Sequence, residues 1–281
     1  MEKSLAIIGA GTMGTGIAQV FLQAGFKVML LDIDVGMLEE AVKRIGDIYS
    51  ILVEKEKMGI EDRDIYLNNL KTATDLEILK DMPLVIETVK ENLKIKKELL
   101  EKVEDIVPDH TIITSNTSSF SINELASGLK KPGRFLGLHF FNPAPILPLV
   151  EVITGEKTLK KVKDKVMGLL KSINREPVEV KDSPGFIVNR LLIPYINKAV
   201  DLLSEAAASR DDIDKAMMLG ANHPMGPLEL ADHIGLDICL DIMENLYRDF
   251  SDPGYKPSDL LRTMVSSKKL GRKTGEGFYK Y

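Results

Sequence analysis

Residues 5–25 read LAIIGAGTMGTGIAQVFLQAG, an apolar run followed by a glycine-rich loop and a helical pattern. The loop has the spacing G-x-G-x-x-G, which between a strand and a helix is typical of dinucleotide-binding units. In such a loop Gly9 permits a tight turn, Gly11 admits a pyrophosphate, and Gly14 allows helix and strand to pack closely. We therefore predict a dinucleotide at this loop; a tight turn without a ligand is the alternative.

The next strand-like run, KVMLLD, ends at Asp32. A carboxylate at this place accepts hydrogen bonds from the ribose hydroxyls of an adenosine, and its charge repels a 2′-phosphate. No arginine follows immediately, so the sequence favours NAD(H) over NADP(H) as the cofactor. We expect Thr12 and Met13, at the start of the helix, to contact the same cofactor. A helix cap is the alternative role for Asp32.

Strand-like runs alternate with helical patterns through the first two-thirds of the chain. The runs lie at 6–8, 27–32, 83–88, 111–115, 134–140, 149–153 and 177–180. Such alternation is typical of a mostly parallel, doubly wound sheet, so we predict an α/β fold with a Rossmann-like first domain. After Val180 a KDSPG break is followed by helical patterns alone. The expected domains are therefore 1–183 and an all-α domain, 184–281.

The second domain opens with a long apolar pattern, FIVNRLLIPYINKAVDLLSEAAA, at 186–208. Pro184 suits a first helical turn, and Pro194 is expected to kink the helix. Because apolar residues cover nearly all of its circumference, we expect this helix to be buried between domains or between subunits.

The composition excludes several classes of protein. The 281 residues include 37 Lys and Arg against 42 Asp and Glu, and a net charge of −5 gives no global attraction to nucleic acid. No apolar run approaches the length that spans a membrane. Cys239 is the single cysteine and suits a reducing cytoplasm. The four histidines form no HExxH-like pair, so we predict no metal site.

An imidazole and a carboxylate are candidates for acid/base chemistry. His139 comes at the end of the run RFLGLHF, and Glu151 lies within the apolar run LPLVEVITG. A carboxylate among apolar residues needs a partner if it is ionised, and His139 is the nearest candidate on an adjacent strand. A histidine oriented by a glutamate is a suitable base for an alcohol. A satisfied core histidine and a buried structural ion pair are the alternatives.

A second polar cluster, SNTSS at 115–119, follows another predicted strand. Ser121 and Glu124 fit a capping box for the next helix, which leaves Asn116 and Ser118 without an evident structural role. They are therefore candidate ligand contacts at the carboxyl ends of the strands. A solvated turn is the alternative.

Eight motifs together resemble the L-3-hydroxyacyl-CoA dehydrogenases, most of all the short bacterial 3-hydroxybutyryl-CoA dehydrogenases. They are, in order from Gly9 to Tyr279, GAGTMGTGIAQ, VKENLKIKKEL, SNTSS, HFFNPAP, LVEVITG, DSPGFIVNR, HPMGPLEL and GRKTGEGFY. The resemblance implies that His139 is the catalytic base and that Glu151 orients it. It also implies that Ser118 and Asn189 contact the 3-oxygen of the substrate.

The resemblance implies further contacts with cofactor and substrate. Glu91, Lys96 and Asn142 match positions that touch the cofactor, although a solvated helix face is an equal alternative for Glu91 and Lys96. A helical pair inserted after the second strand would hold coenzyme A, with Lys55 and Lys57 meeting its phosphates. Complementing the helix dipole is the alternative for these lysines. A homodimer formed through the second domain is also expected.

The activity that follows is the NAD-dependent interconversion of a (S)-3-hydroxyacyl-CoA and a 3-oxoacyl-CoA in the cytoplasm. The short bacterial likeness points to 3-hydroxybutyryl-CoA and acetoacetyl-CoA. A dehydrogenase of a sugar acid or a free hydroxy acid is one alternative. A non-catalytic NAD-binding protein is another, although such a protein would have no need to keep both His139 and Glu151.

Overall fold

A sheet of eight strands forms the centre of the first part of the computed structural model, which describes residues 3–281. The strands run in the spatial order β3-β2-β1-β4-β5-β6-β7-β8, and every pair is parallel except β6 and β7. Their bounds are β1 Ser4–Ile8, β2 Lys27–Leu31, β3 Leu70–Ala73, β4 Leu84–Glu87, β5 Ile112–Ser115, β6 Phe135–Phe140, β7 Leu149–Thr154 and β8 Glu176–Lys181. The predicted α/β class and the mostly parallel sheet are confirmed.

One strand, β3, is absent from the strand-like runs found in the sequence. It is a four-residue edge strand, parallel to β2, in which only Leu70 is buried. A single buried residue gives neither an apolar run nor a clear alternation, so the pattern that marks the central strands is missing here.

Six α-helices accompany the sheet within residues 3–182. They are α1 Thr12–Gln23, α2 Val35–Glu54, α3 Ile60–Asn68, α4 Leu93–Ile106, α5 Ile122–Leu125 and α6 Lys160–Ser172. The apolar stripe of α2 is buried at Leu38, Ala41, Ile45 and Tyr49. The α2 and α3 helices are the pair inserted between β2 and β3.

Short polar side chains fix where these helices begin. Asp34 caps α2 by accepting from the N–H of Gly36, and Asn92 caps α4. Ser121 caps α5 by accepting from the N–H of Glu124 at 3.2 Å, as the capping-box pattern predicted. The caps therefore set the ends of the loops that follow β2, β4 and β5.

The chain divides into two compact units, Met1–Asp182 and Ser183–Tyr281. The second contains α7 Val188–Ser204, α8 Arg210–Gly220, α9 Pro227–Ile234, α10 Leu236–Phe250 and α11 Asp259–Ser266. Its described residues form no β-strand, only isolated bridges at Glu276. This agrees with the predicted helical second domain. Its core includes Ile196, Leu228 and Met243.

The long helix of the second unit is shorter than the sequence suggested. It covers 17 residues, with Pro194 inside it, whereas Pro184 lies in a turn before it. The carboxyl end stops early because Ala206 adopts a positive φ of 52°. In the single chain Leu191 is 69% exposed, so burial of this helix between subunits stays a prediction.

Candidate active site

The glycine loop joins β1 to α1 at the carboxyl edge of the sheet. Gly9 has a φ of +109°, and a Cβ there would lie 2.8 Å from the Thr88 backbone. A Cβ on Gly14 would lie 1.8 Å from the Gly9 carbonyl oxygen, whereas a Cβ on Gly11 would meet no heavy atom within 4 Å. Two glycines are thus required by packing, and the third faces open space.

The residues around this open space fit a dinucleotide. Thr12 and Met13 begin α1, whose N-cap residue, Gly11, provides no side-chain hydrogen bond. An uncapped helix N-terminus attracts a phosphate through its amides and dipole. Asp32 follows β2, and its Oδ2 accepts a 2.8 Å hydrogen bond from the N–H of Ala10. Its carboxylate therefore braces the loop and keeps acceptor capacity for ribose hydroxyls.

His139 and Glu151 lie directly opposite each other on the antiparallel strands β6 and β7. Nδ1 of His139 is 2.7 Å from Oε2 of Glu151, and both side chains are buried, at 7% and 1% exposure. The ring of Phe141 lies against the imidazole, with 4.4 Å between centroids. The partner expected for the buried carboxylate is therefore His139. Because β6 runs parallel to β5 and β1, the pair lies near the edge that bears the glycine loop.

The SNTSS segment leaves β5 at the same edge. Asn116 Oδ1 accepts a 2.9 Å hydrogen bond from the N–H of Phe140, next to His139. The expectation that Asn116 has no structural role was therefore wrong, because it ties this segment to the end of β6. Ser118 is partly buried, and its N–H donates to Glu91 Oε1 at 3.1 Å. Any contact of either residue with a ligand stays a prediction.

Lys96 does not lie on a solvated helix face. It is 1% exposed, and its Nζ pairs with Glu87 at 2.8 Å and with Glu91 at 3.1 Å. The solvated-face alternative is therefore wrong for Lys96, and Glu91, at 35% side-chain exposure, is held in the same cluster. Helical periodicity marks the position of a charge on α4 but does not reveal a buried partner on a strand.

Four predicted residues remain. Asn142 follows β6 and precedes a cis peptide bond to Pro143. Lys55 and Lys57 are exposed at the end of α2, and neither makes an ion pair with a carboxylate within residues 3–281. Asn189 is the second residue of α7, in the other unit. The roles of all four residues stay predictions.

Two residues at this edge were missed by the sequence analysis, Glu87 and Thr88. Thr88 Oγ1 donates to the carbonyl oxygens of Ile8 and Gly9, and so holds the glycine loop. Glu87 ends β4 and is fully buried. A carboxylate at the end of the apolar run PLVIET was the signal, and the argument applied to Glu151 also applies to it.

Residues 3–281 contain neither a membrane-spanning helix nor a metal-binding cluster. No helix within residues 3–281 is both long enough and apolar enough to cross a membrane. The described part of the chain also contains no group of three His, Cys, Asp or Glu side chains arranged to hold a metal ion.

The glycine loop fits a nucleotide, and a histidine–carboxylate pair lies near the same sheet edge, as expected for a dehydrogenase. Two family models cover the chain: the 3-hydroxyacyl-CoA dehydrogenase NAD-binding domain matches residues 4–183, and the C-terminal domain matches 185–281. The chain belongs to the 3-hydroxyacyl-CoA dehydrogenase family, and it is an NAD-dependent oxidoreductase acting on a CH–OH group.

Relatives match over almost the whole chain. A 3-hydroxybutyryl-CoA dehydrogenase of Clostridioides difficile is 47% identical, with 99% of both chains covered. The human mitochondrial hydroxyacyl-coenzyme A dehydrogenase is 42% identical, covering 99% of this chain and 91% of its own. The crystal structure of a (S)-3-hydroxybutyryl-CoA dehydrogenase from Ralstonia eutropha has a TM-score of 0.97 at 44% identity, covering 100% and 99% of the two chains.

Proposed function

We propose that the enzyme interconverts (S)-3-hydroxybutyryl-CoA and acetoacetyl-CoA with NAD(H), using His139 as general acid and base. The observation that carries this proposal is the buried His139–Glu151 pair near the sheet edge that bears the glycine loop. The Clostridioides difficile and Ralstonia eutropha relatives are 3-hydroxybutyryl-CoA dehydrogenases, which supports the four-carbon substrate.

Glu151 sets the tautomer of the imidazole. An ionised carboxylate only accepts hydrogen bonds, so Nδ1 of His139 carries the proton and Nε2 has the lone pair. In oxidation Nε2 takes the proton of the C3 hydroxyl, and in reduction the imidazolium gives a proton to the forming alkoxide. Bound NAD supplies the nicotinamide C4 that accepts the hydride from C3. Glu151 offsets the positive charge that the imidazole acquires.

Ser118 holds the 3-oxygen of the substrate. This oxygen gains negative charge as the alkoxide forms, so a hydroxyl directed at it stabilises the transition state more than the ground state. The firm anchoring of the Ser118 backbone by Glu91 supports this role.

Coenzyme A is bound beside the inserted helices, where Lys55 and Lys57 meet its phosphates. Both lysines are exposed, so their ammonium groups are accessible to an anionic ligand.

The discriminating assay follows NADH consumption with acetoacetyl-CoA and with free acetoacetate, then with longer 3-oxoacyl-CoAs and with NADPH. Turnover of acetoacetyl-CoA far above that of the free acid is expected. Faster turnover of the free acid would favour a dehydrogenase of free hydroxy acids.

The enzyme forms a homodimer in the cytoplasm through its second unit. Leu191 and Leu202, on α7, are 69% and 46% exposed in the single chain, and exposed apolar side chains on one helix support association. Cys239 is unpaired and buried, and burial raises the pKa of its thiol to about 12, which suits a cysteine kept reduced.

Alanine at two glycines separates folding from cofactor binding. Gly14→Ala is expected to destabilise the first unit by about 1–3 kcal/mol, because its Cβ overlaps the Gly9 carbonyl oxygen. Gly11→Ala is the matched control: it leaves stability near that of the wild type but weakens NADH binding, because its methyl group occupies the space proposed for the pyrophosphate. Thermal unfolding and fluorescence titration with NADH measure the two effects. Equal loss of stability in both variants would contradict this assignment.

Removing the Asp32 carboxylate is expected to weaken NADH binding selectively. Asp32→Ala should lower NADH affinity about tenfold or more, the usual effect of losing hydrogen bonds to a charged group, with little change in the KM for acetoacetyl-CoA. Asp47→Ala, which removes an exposed carboxylate of α2, is the control. Unchanged NADH affinity in Asp32→Ala would remove the ribose contact from the proposal.

A further inference from the structure

A carboxylate that the proposed chemistry does not use lies at the middle of the sheet edge. Glu87 is fully buried and pairs in register with Ile8 of β1 and Ser115 of β5. Its Oε2 accepts a 2.5 Å hydrogen bond from Ser115 Oγ, and its Oε1 accepts from the N–H of Val89 at 2.7 Å. Glu87 therefore anchors the start of the SNTSS segment.

Lys96 links Glu87 to a second carboxylate. Its ammonium group has three donors, and three oxygens surround it: Glu87 Oε1 at 2.8 Å, Glu91 Oε2 at 3.1 Å and the Val89 carbonyl at 3.2 Å. A buried ammonium group is stable only when such partners are complete. Loss of the Glu87 charge would leave Lys96 to be shared between Glu91 and a neutral carbonyl.

Glu91 holds the other end of the same segment. Its Oε1 accepts from Thr117 Oγ1, from the N–H of Ser118 at 3.1 Å, and from Ser119 through both N–H and Oγ. Burial alone would raise the pKa of the Glu91 carboxyl, but the Lys96 charge and two hydroxyl hydrogen bonds hold this pKa below its ordinary value. The carboxylate is therefore ionised at neutral pH and accepts from all of these donors.

We propose that Glu87 is a positioning residue, which acts through Lys96 and Glu91 to fix the SNTSS segment and thereby Ser118. This inference rests on the proposed function, because Ser118 is the residue assigned there to the substrate's 3-oxygen. Glu87 binds the segment at residue 115, and Glu91 binds it at residues 117–119. Lys96 forms ion pairs with both carboxylates and so links them. A mobile segment would aim the Ser118 hydroxyl poorly at the developing charge.

A second buried pair in the same unit provides a matched control. Glu104 is on α4, like Lys96. Its carboxylate accepts from the N–H groups of Lys130 and Lys131 and lies 3.7 Å from the guanidinium group of Arg134. Its side chain is 4% exposed, so Glu104→Gln breaks a comparably buried interaction. The segment that it holds bears no residue assigned to the chemistry.

The test compares Glu87→Gln, Glu104→Gln and the double variant Glu87→Gln/Lys96→Met. Glu87→Gln keeps the side-chain volume but leaves the buried ammonium group short of one charge, so it should lower stability. The double variant removes that ammonium group and should recover much of the stability. We expect kcat for acetoacetyl-CoA to stay low in the double variant, about 10- to 100-fold below the wild type, because the segment is no longer aligned.

Amide hydrogen exchange across residues 115–120, measured without substrate or cofactor, gives a readout that does not depend on the reaction. Faster exchange in both Glu87 variants, with Glu104→Gln like the wild type in exchange and kcat, supports the inference. It is overturned if the re-stabilised double variant exchanges and turns over like the wild type, or if Glu104→Gln lowers kcat equally. A wild type inactive on acetoacetyl-CoA would refute the proposed function, while the exchange result would still decide whether Glu87 fixes the segment.

Discussion

Replacing His139 with alanine is expected to lower kcat for acetoacetyl-CoA about 10²- to 10⁴-fold, the usual range for losing a positioned general acid and base. The alkoxide that forms in reduction then has no proton donor, and the hydroxyl in oxidation has no base. NADH binding should persist, because the glycine loop is built on β1 and α1, away from β6. Steady-state kinetics and fluorescence titration with NADH measure the two effects separately.

His110→Ala is the control for this prediction. His110 lies exposed in the turn before β5, so its replacement should leave kcat unchanged. Turnover of His139→Ala near the wild-type rate would exclude His139 as the base, and loss of NADH binding in the same variant would show that its effect is not confined to proton transfer.

Glu151→Gln is expected to have the second largest effect, lowering kcat by about 10²-fold or more. The amide oxygen still accepts the Nδ1 hydrogen bond, so the imidazole keeps its tautomer. The neutral amide no longer offsets the positive charge when His139 takes a proton, and at 1% exposure no water replaces that charge. The measurement is kcat across pH, together with thermal unfolding to show that the variant is folded.

Glu156→Gln is the matched control for Glu151, because it removes an exposed carboxylate just beyond the end of β7. It should behave as the wild type. If Glu151→Gln kept full kcat, the pair would be a structural ion pair, the alternative left open by the sequence.

Local chemistry explains why parts of this site were predictable. The glycine loop is a pattern of consecutive residues. A carboxylate in an apolar run requires a partner, and this requirement predicted the pairing of Glu151 with His139. The capping of α5 by Ser121 follows from a four-residue pattern. Each of these inferences needs only neighbouring residues or one adjacent strand.

Other features depend on contacts that no short pattern contains. The pattern of charges on α4 predicts that they face solvent, yet Lys96 is buried against Glu87, at the carboxyl end of β4. The amide oxygen of Asn116 is used by the N–H of Phe140, on the next strand. The edge strand β3 has too little buried surface to leave an apolar run. In each case the tertiary structure decides the role.

The one reversal of strand direction in the sheet has a consequence for how such an enzyme can diversify. Since β7 runs antiparallel to β6, one strand pair aligns His139 with Glu151. The inserted helices α2 and α3, which we propose to bind coenzyme A, lie outside this strand pair. On that proposal, substrate range can change, by evolution or by engineering, while the His139–Glu151 pair is retained.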